Sequence, residues 1–560
     1  MTPDAEDPVV AAEAEEPGAG VVGPLERGLA VVRAMSAPSA WRVRPSDLAR
    51  STGLARSTVD RVIGTLAQLG HVRQVGREVE LTPRLMELGN AYLAADGIGD
   101  ILRGFVERLA DEFDESVSIV VPDGDGIRFV TQVTRRRTMA LAFRIGDLLP
   151  VERCAAGAVF ATEWREQQWS AWRTRRQADP LDAGFPAVPQ RTGLLDRAHG
   201  EADFERRVAE AAEHGWSVDD QLIEPGLIAA AVPLRGADGL PVCAVSVVSH
   251  LSRHSAESLA AAVLPRLQAQ APAMEKALAE QRRPGEVHRR TDSSRAVKEE
   301  LGAGFLQSLA RGLAVLASLG EAPGGLTLSE SAEATGLARA TARRALLSLV
   351  KLGYVEANGQ QFRPLPRVLE LGYAKLSGLG FAEILRPHLE DLVARADETA
   401  SVAVLDGEDI RHVVRVPTAR IMSFSLSVGT RVPAYATSMG RILLADMPPQ
   451  HRADRLACAE LRPLTRYTVT DPAALAEVLE RTAAQGYALV DQELELGVRS
   501  LAVPIRDTTG RTVAALKLAT HAGLRTPQET VTELLPALRE AASRIEADLR
   551  IVSEHAPLPR

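Results

Sequence analysis

Two segments of the chain place guanidinium and hydroxyl groups together at the start of a predicted helix. In the first, GLARSTVDRVIGTLAQLGHV, apolar residues recur every three or four positions, so that one helical face packs inward. The opposite face presents polar and charged side chains, namely Arg56, Ser57, Thr58, Asp60, Arg61 and Thr65. Such groups contact phosphates and the edges of bases, and we therefore expect this helix to bind nucleic acid.

The same pattern returns 283 residues later as GLARATARRALLSLVKLGYV, where the outward positions include Arg339, Thr341, Arg343 and Arg344. Two upstream segments, LERGLAVVRAM and LARGLAVLASL, are 284 residues apart. A nearly constant offset over long stretches indicates the tandem duplication of a large unit.

Each copy has the order of parts of a winged helix-turn-helix. A glycine separates two short helices, and a β-rich excursion that ends in a proline follows the second helix, which in such a unit enters the major groove. A unit of this kind can also serve as a docking or dimerisation module, so protein binding remains the alternative. We call the two units head 1 and head 2.

The distribution of charge favours DNA over the overall balance. The 560 residues include 65 basic and 73 acidic ones, a net charge of −8, which by itself argues against a polyanion as partner. Within residues 21–90, however, ten arginines stand against six acids, and within residues 305–375 eight basic residues stand against five acids. Two positive heads inside a negative protein predict modest and salt-sensitive DNA affinity from each head.

The three cysteines, Cys154, Cys243 and Cys458, are far apart in the sequence and support neither a disulfide framework nor a zinc knuckle. The first twenty residues are acidic, unlike the start of a signal peptide, and the apolar runs are too short to span a membrane. These features predict a cytoplasmic protein with no cofactor, no metal and no membrane partner.

Behind each head, helical runs precede apolar segments joined by turn residues such as DGDG and DGED, which predicts antiparallel strands. The expected fold class is α+β, with two tandem copies of a winged helix-turn-helix and an antiparallel-sheet domain. The predicted order is a disordered acidic tail (1–20), head 1 (21–83), a connecting helix with sheet domain 1 (84–280), a linker (281–303), head 2 (304–365), and a connecting helix with sheet domain 2 (366–554).

Three segments resemble the IclR family of bacterial transcriptional regulators, namely GLARSTVDRVIGTLAQLGHV, VPAYATSMGRILLA and above all GYALVDQELELGVRSLAVPI. The resemblance implies a winged helix-turn-helix, a linker helix and a GAF-like effector-binding domain, present twice. The second copy is similar to the branch that controls aromatic-acid catabolism. Family members ordinarily carry one such unit per chain. Two unlike heads on one chain imply a double-stranded DNA operator that is an asymmetric pseudo-palindrome, and further homodimerisation remains open.

A candidate effector site lies in the second copy. The run TSMG precedes RILLA, so a helix N-terminus is expected at Ser438, Met439 and Gly440, where unpaired N–H groups suit a ligand carboxylate. Three further polar residues are expected along strands with one shared face, namely Asp491, Glu493 and Ser500. The resemblance maps effector contacts to this loop and to these positions. Weaker candidates for apolar walls are Phe424, Leu426 and Tyr435.

The first copy keeps only part of this pattern. Its loop reads Cys154, Ala155, Ala156 and Gly157, and Asp220 stands where the second copy has Asp491. Leu222 and Ala229 replace Glu493 and Ser500. This change predicts a more apolar first pocket, with a different ligand or none.

An enzyme is the less favoured class. Asp491 and Glu493 could form an acid/base pair and Cys154 a nucleophile, but the sequence places no histidine beside either. We therefore expect no catalysis. The remaining alternative is a ligand-sensing scaffold whose winged units bind protein rather than DNA.

Overall fold

The computed structural model describes residues 23–37, 41–135, 143–189, 200–281, 305–418 and 427–554. The predicted acidic tail lies outside these residues, as does the predicted linker apart from its first residue. Within the described residues, no helix combines the length and the hydropathy needed to cross a bilayer.

Head 1 consists of three helices and a two-stranded wing. Their bounds are α1 (Pro24–Ser36), α2 (Pro45–Thr52), α3 (Arg56–Gln68), β1 (Val72–Val75) and β2 (Glu78–Leu81). Gly53 ends α2 at φ 68°, in the left-handed region that glycine adopts without steric cost, and so sets the turn into α3.

Sheet domain 1 is a six-stranded antiparallel sheet with helices on both faces. A connecting helix, α4 (Met86–Asp96), precedes it, and the strand order is β5-β4-β3-β8-β7-β6. The helices α5 and α9 pack on one face, and α6 packs on the other. The remaining bounds are α5 (Ile98–Phe113), β3 (Ser116–Asp123), β4 (Gly126–Val133), β5 (Leu148–Pro150), α6 (Ala155–Ala161), α7 (Glu166–Ala178), α8 (Glu201–His214), β6 (Ser217–Asp220), β7 (Leu227–Arg235), β8 (Pro241–His250) and α9 (Ala256–Gln281).

The second copy repeats this architecture, with the sheet order β14-β13-β12-β17-β16-β15. Head 2 comprises α10 (Gln307–Ser318), β9 (Leu326–Thr327), α11 (Leu328–Ala334), α12 (Arg339–Lys351), β10 (Val355–Asn358) and β11 (Gln361–Pro364). Sheet domain 2 and its connection comprise α13 (Tyr373–Leu376), α14 (Phe381–Ala396), β12 (Thr399–Asp406), β13 (Asp409–Val416), β14 (Arg431–Pro433), α15 (Ser438–Ala445), α16 (Pro449–Cys458), α17 (Pro472–Gln485), β15 (Ala488–Asp491), β16 (Val498–Arg506), β17 (Thr512–His521) and α18 (Pro527–Ser553). The predicted α+β fold in two tandem copies is confirmed.

The connecting helix predicted for the second copy is wrong, because only a short 3-10 helix and the four-residue α13 form there. Two glycines at equivalent positions, Gly89 and Gly372, separate the outcomes. Gly89 stays helical, and a Cβ on it would lie 2.1 Å from the ring of Tyr373. Gly372 adopts φ 95°, and a Cβ on it would lie 2.9 Å from Leu85 Cδ2. Packing between the copies therefore breaks their symmetry at this point.

The two copies pack against each other through reciprocal contacts of α1 and α10. A Cβ on Gly28 would lie 2.3 Å from Leu309 Cδ1, and a Cβ on Gly312 would lie 2.5 Å from Leu25 Cδ1. Each leucine thus fills the space left by the other copy's glycine, as in an isologous dimer interface. One apolar core runs through both heads and the helices of both sheet domains.

Gly320→Ala tests this shared core. The new Cβ would lie 2.5 Å from Ala91 Cα in α4, and because the obstacle is backbone, the copies must move apart. We expect the free energy of unfolding to fall by about 1–3 kcal/mol, measured by urea denaturation of the full chain.

Gly64→Ala is the matched control, since Gly64 lies in α3 with nothing within 4 Å of the position of a Cβ. Alanine there should raise the unfolding free energy by up to about 1 kcal/mol. Similar effects of the two substitutions would contradict the close approach of the copies.

Candidate nucleic-acid interface and small-molecule site

The outer face of α3 is open to solvent as predicted. Arg56, Ser57 and Arg61 are exposed and Thr58 is half-buried. The prediction is wrong for Thr65, which is 1% exposed and donates its hydroxyl to the Arg61 carbonyl oxygen at 2.9 Å. The apolar stripe of the same helix is fully buried, with Val59, Val62 and Leu66 all 0% exposed. Burial of that stripe fixes which side chains the helix offers to a partner.

The second recognition helix, α12, has the same arrangement. Its outer face exposes Arg339, Arg343 and Arg344, and Thr341 is half-buried. Leu347 is also exposed on this face, at the position that Gly64 occupies in α3. Sequence reasoning missed this residue, although the helical spacing places it outward. An exposed leucine beside arginines is suited to contact a thymine methyl group.

The two heads differ most at one pair of positions. In head 1 the Nε of Arg56 donates to both carboxylate oxygens of Asp60, at 2.9 and 3.1 Å. In head 2 the position of Asp60 holds Arg343. In head 1, therefore, the Arg56 guanidinium is bonded to a carboxylate of its own helix, whereas head 2 has an additional arginine at that position.

The loop before α15 brings together three of the predicted effector residues. Ser438 Oγ donates to Ser500 Oγ at 2.9 Å, and both side chains are buried. The N–H of Gly440 donates to Thr437 Oγ1 at 3.0 Å, and a Cβ on Gly440 would lie 2.0 Å from the Ala434 carbonyl oxygen. Only glycine fits there, which explains the close seat of α15 on its loop.

Met439 and Glu493 have partners within the protein. Met439 is 0% exposed and belongs to the core under α15. Glu493 accepts from Arg441 through both oxygens, at 2.7 and 2.6 Å, and from the Val469 N–H at 3.1 Å. This bidentate pair joins α15 to the loop after β15. Its hydrogen bonds are charge-assisted, and its net charge is zero.

The sequence predicts one shared face for Asp491, Glu493 and Ser500. In the structure, Asp491 does not share a face with the other two. Its carboxylate accepts from Arg499 Nε and Nη2, each at 3.0 Å. Across the strand pair, Asp491 is opposite Arg499, whereas Ser500 is opposite Val490. Because side chains alternate along a strand, Asp491 and Arg499 point away from the face that α15 covers.

Sequence reasoning missed a polar row on the α15 face of sheet 2. Arg415, Ser401, Lys517 and Ala502 are cross-strand neighbours on β13, β12, β17 and β16. Lys517 is 7% exposed, and burial together with the Arg415 charge lowers its pKa to about 8. His412 lies one row away on β13, is 1% exposed, and has a pKa lowered to about 4, chiefly by burial.

Of the three residues predicted to form apolar walls of the effector site, two lie outside the described residues and one lies within them. Phe424 and Leu426 lie outside the described residues. Tyr435 is 8% exposed, and its hydroxyl donates to the Arg462 carbonyl oxygen at 2.7 Å. Its ring thus stays beside α15 while its polar end is satisfied by the protein.

The corresponding face of the first copy is partly apolar, and its equivalent row is neutral, consisting of Gln132, Ser118, Ser246 and Ala231. Phe129 stands at the position of His412 and stacks on Phe143, with ring centroids 5.3 Å apart. Ala155 is buried, and Gly157 allows no Cβ because Val151 O would lie 1.9 Å away. Cys154 is buried as well, which raises the pKa of its thiol well above the usual value and disfavours a nucleophilic role.

Asp220, the counterpart of Asp491, is exposed, and the buried carboxyl group of this region is its neighbour Asp219. Burial raises the pKa of Asp219 to about 7, although the Leu222 N–H donates to it at 2.8 Å. Arg153 lies nearby, where it donates to the Leu222 carbonyl oxygen at 2.9 Å and to Asp182 at 3.1 Å.

Asp219→Asn has a pH signature. A folded pKa raised to about 7 from 3.8 means that the stability held by the protonated form is complete below pH 4 and is lost as the pH rises to about 7. Asparagine keeps an acceptor for the Leu222 N–H without this loss. Relative to the unsubstituted chain, we expect Asp219→Asn to gain about 2–3 kcal/mol of unfolding free energy between pH 5 and pH 8.

Denaturant unfolding at the two pH values measures this difference. Asp220→Asn is the control, because the neighbouring carboxylate is exposed and should show little pH-dependent difference. The same pH dependence in both variants would show that burial does not govern Asp219.

Comparison with known proteins agrees with this architecture. The family described as "Bacterial transcriptional regulator IclR C-terminal" matches residues 90–276 and 373–547, and the "IclR helix-turn-helix domain" matches residues 24–76 and 308–359. The chain is 44% identical over 241 residues to the "Pca regulon regulatory protein" of Pseudomonas putida, which covers 43% of this chain and 82% of the relative.

Two relatives from Acinetobacter baylyi are also similar. The "Pca operon regulatory protein" is 35% identical over 43% of this chain and 88% of its own length. The "p-hydroxybenzoate hydroxylase transcriptional activator" is 32% identical over 43% of this chain and 91% of its own length. With both halves of its length matched in turn, the chain belongs to the IclR family of bacterial transcriptional regulators, as a tandem duplication of the family's unit.

Proposed function

We propose that the chain is a sequence-specific DNA-binding regulator in which one polypeptide supplies both reading heads. The observation that carries this proposal is the pair of recognition helices with exposed arginines, held in one packed body by the reciprocal contacts of α1 and α10. Two joined heads bind two half-sites with the second association made intramolecular, so affinity does not require a second chain.

The difference between the heads supports an operator with unlike halves. Head 1 presents Asp60 engaged by Arg56, and a carboxylate accepts from a cytosine amine while repelling phosphate. Head 2 presents Arg343 beside Leu347, groups that suit guanine and a thymine methyl. The preferred DNA is therefore an asymmetric pseudo-palindrome.

We propose that a small carboxylate, of the aromatic-acid class, controls operator occupancy. Support comes from the name of the Acinetobacter activator of p-hydroxybenzoate hydroxylase and from the buried polar groups between α15 and sheet 2. These groups include Ser438 and Ser500, which are bonded to each other and not to the Arg441–Glu493 pair. In the first copy, burial raises the pKa of the Cys154 thiol well above its usual value, which disfavours a nucleophilic role there.

The route from ligand to DNA crosses between the copies. The helix α18 packs on β16 and β17, and its end reaches α4 of the first copy. There the Asn90 side chain, 4% exposed, donates to the Ile551 carbonyl oxygen at 3.0 Å and to Glu554 at 2.8 Å. Sheet domain 2 thus bears directly on the helix behind head 1.

Space for movement exists along this route. A cleft of ≈ 480 Å³ separates head 1 from α14 and α18, with Trp41 and Arg84 on one side and His388 and Asp548 on the other. His388 Nε2 and Asp548 Oδ2 are 2.9 Å apart and hold α14 to α18. A ligand that favours one position of this helix pair changes the position of head 1, provided that its affinity differs between the two positions.

Selection of bound sequences from random DNA, followed by footprinting, tests the proposed function. We expect one chain to protect two unlike half-sites. Arg344→Ala should weaken binding by about 1–3 kcal/mol and relax the sequence preference in one half only, measured by fluorescence anisotropy at two salt concentrations.

Arg206→Ala is the control, since Arg206 is an exposed arginine on α8, away from both heads. It should leave affinity and salt dependence unchanged. Absence of any specific DNA retention at low salt would refute the DNA-binding proposal and favour the protein-docking scaffold.

Asn90→Ala tests the crossed route. The substitution removes both hydrogen bonds to α18 without touching either DNA-reading face. With p-hydroxybenzoate as probe, we expect ligand affinity to be unchanged while the ligand-induced change in DNA affinity shrinks severalfold. Calorimetry measures the first quantity and anisotropy the second. A full ligand response in the variant would exclude this contact as the coupling element.

A further inference from the structure

A lysine that has no partner among the described residues is buried in the middle of sheet 2. Lys517 is 7% exposed and lies on β17 between Ala502 of β16 and Ser401 of β12. Among the described residues, no carboxylate forms an ion pair with it. Glu493, the acid that the sequence predicts as an effector contact, accepts from Arg441 through both of its oxygens. A buried ammonium without a counter-charge is costly, so its retention indicates an anion that comes from outside the chain.

The surroundings of Lys517 are small. Its neighbours across and along the strands on the same face are Ala403, Ala502, Ala515 and Ala519, together with Ser401 and Ser500. Ala403, Ala502 and Ala515 belong to the apolar cluster beneath α15, so Lys517 stands as a single cation among small side chains. The lysine side chain is the only long one at the centre of that group, and α15 covers it from above.

Unsatisfied polar atoms mark the same face. Ser401 Oγ is buried with no hydrogen-bond partner in the part of the chain that the structure describes, and the same holds for both ring nitrogens of His412. Ser401 lies beside Lys517 in the cross-strand row, and His412 lies in the next row on β13. Buried polar groups in folded proteins are nearly always paired, so three unpaired atoms beside one unpaired cation indicate a ligand site.

We propose that Lys517 binds the carboxylate of the effector, with Ser401 as a second donor and His412 bound to a further hydroxyl or carbonyl group of the same ligand. This inference rests on the proposed function and names the ligand class more closely: a carboxylate with a second hydrogen-bonding group. It also moves the anchor from the start of α15, where the sequence had suggested it, to the sheet.

The first copy supplies an internal contrast. Ser246 stands at the position of Lys517, Phe129 at that of His412, and Gln132 at that of Arg415. Phe129 and Phe143 fill the corresponding space with stacked rings. Sheet 1 keeps neutral polar groups in this row, since Ser118 Oγ and Gln132 Nε2 are buried without a partner among the described residues, but it lacks the cation and the imidazole. We therefore expect one such carboxylate site per chain, in sheet domain 2.

Calorimetry on the full chain tests the assignment with matched probes. We expect p-hydroxybenzoate or another member of a panel of aromatic and aliphatic carboxylates to bind with one site per chain, and its neutral amide to bind at least tenfold more weakly. Lys517→Met should weaken the carboxylate at least tenfold and leave the amide unchanged. Lys276→Met, which alters an exposed lysine on α9, should change neither.

Thermal unfolding without ligand separates this role from a structural one. Methionine in place of a buried, unpaired ammonium should leave Tm unchanged or raise it, whereas a lysine needed for the fold would lower it. Carboxylate binding by Lys517→Met at the original affinity, two sites per chain, or no binding by any carboxylate of the panel would each overturn the assignment.

The proposed function fails by a different readout. If the unsubstituted chain binds a carboxylate at one site but no DNA, the ligand assignment stands and the regulator proposal falls. If it binds a specific operator but no carboxylate of the panel, the reverse holds. DNA binding of Lys517→Met without ligand should equal that of the unsubstituted chain, since Lys517 lies in neither head.

Discussion

The close approach of α1 and α10 is the contact on which the rest of the structure depends. It needs a glycine in each helix, because Gly28 and Gly312 receive the side chains of Leu309 and Leu25. The pairing is reciprocal, as in a dimer of identical chains, yet it occurs within one chain. It fixes the distance between the two recognition helices before any DNA is present. Duplication has thus turned an association between molecules into packing inside one core.

Divergence after duplication has separated the two sheet domains by chemistry rather than by fold. Both sheets have the same strand order, and each carries a buried serine that has no partner within the described ranges, Ser118 in the first and Ser401 in the second. Sheet 1 closes its covered face with stacked aromatic rings, which gains apolar burial. Sheet 2 keeps Lys517 and His412 there, at a cost in stability. A cost retained in one copy and removed from the other indicates that function keeps it.

Much of this was accessible from the sequence. Helical spacing located both recognition helices with their exposed arginines, and the constant offset gave the duplication. The site was less accessible, since strand pairing alone decides which of two adjacent residues faces α15. Asp491 seemed the natural ligand contact by type, but the pleat directs it to Arg499. Lys517 sits in the apolar run VAALKLATH, where one lysine reads as a solvent-facing residue until both faces of the sheet are seen to be covered.

The broken symmetry of the connecting helices follows from the same contact that joins the copies. Gly89 and Gly372 are equivalent in sequence, and so are the residues that follow them, Asn90 and Tyr373. The ring of Tyr373 occupies the space beside Gly89. The two cannot exchange roles, because Asn90 is bound to the end of α18. Sheet domain 2 therefore contacts the connecting helix α4 behind head 1, whereas only a short 3-10 helix and the four-residue α13 follow head 2. The single ligand proposed for sheet 2 would then act on an already unequal pair, and a change confined to one head would be enough to alter the spacing of both.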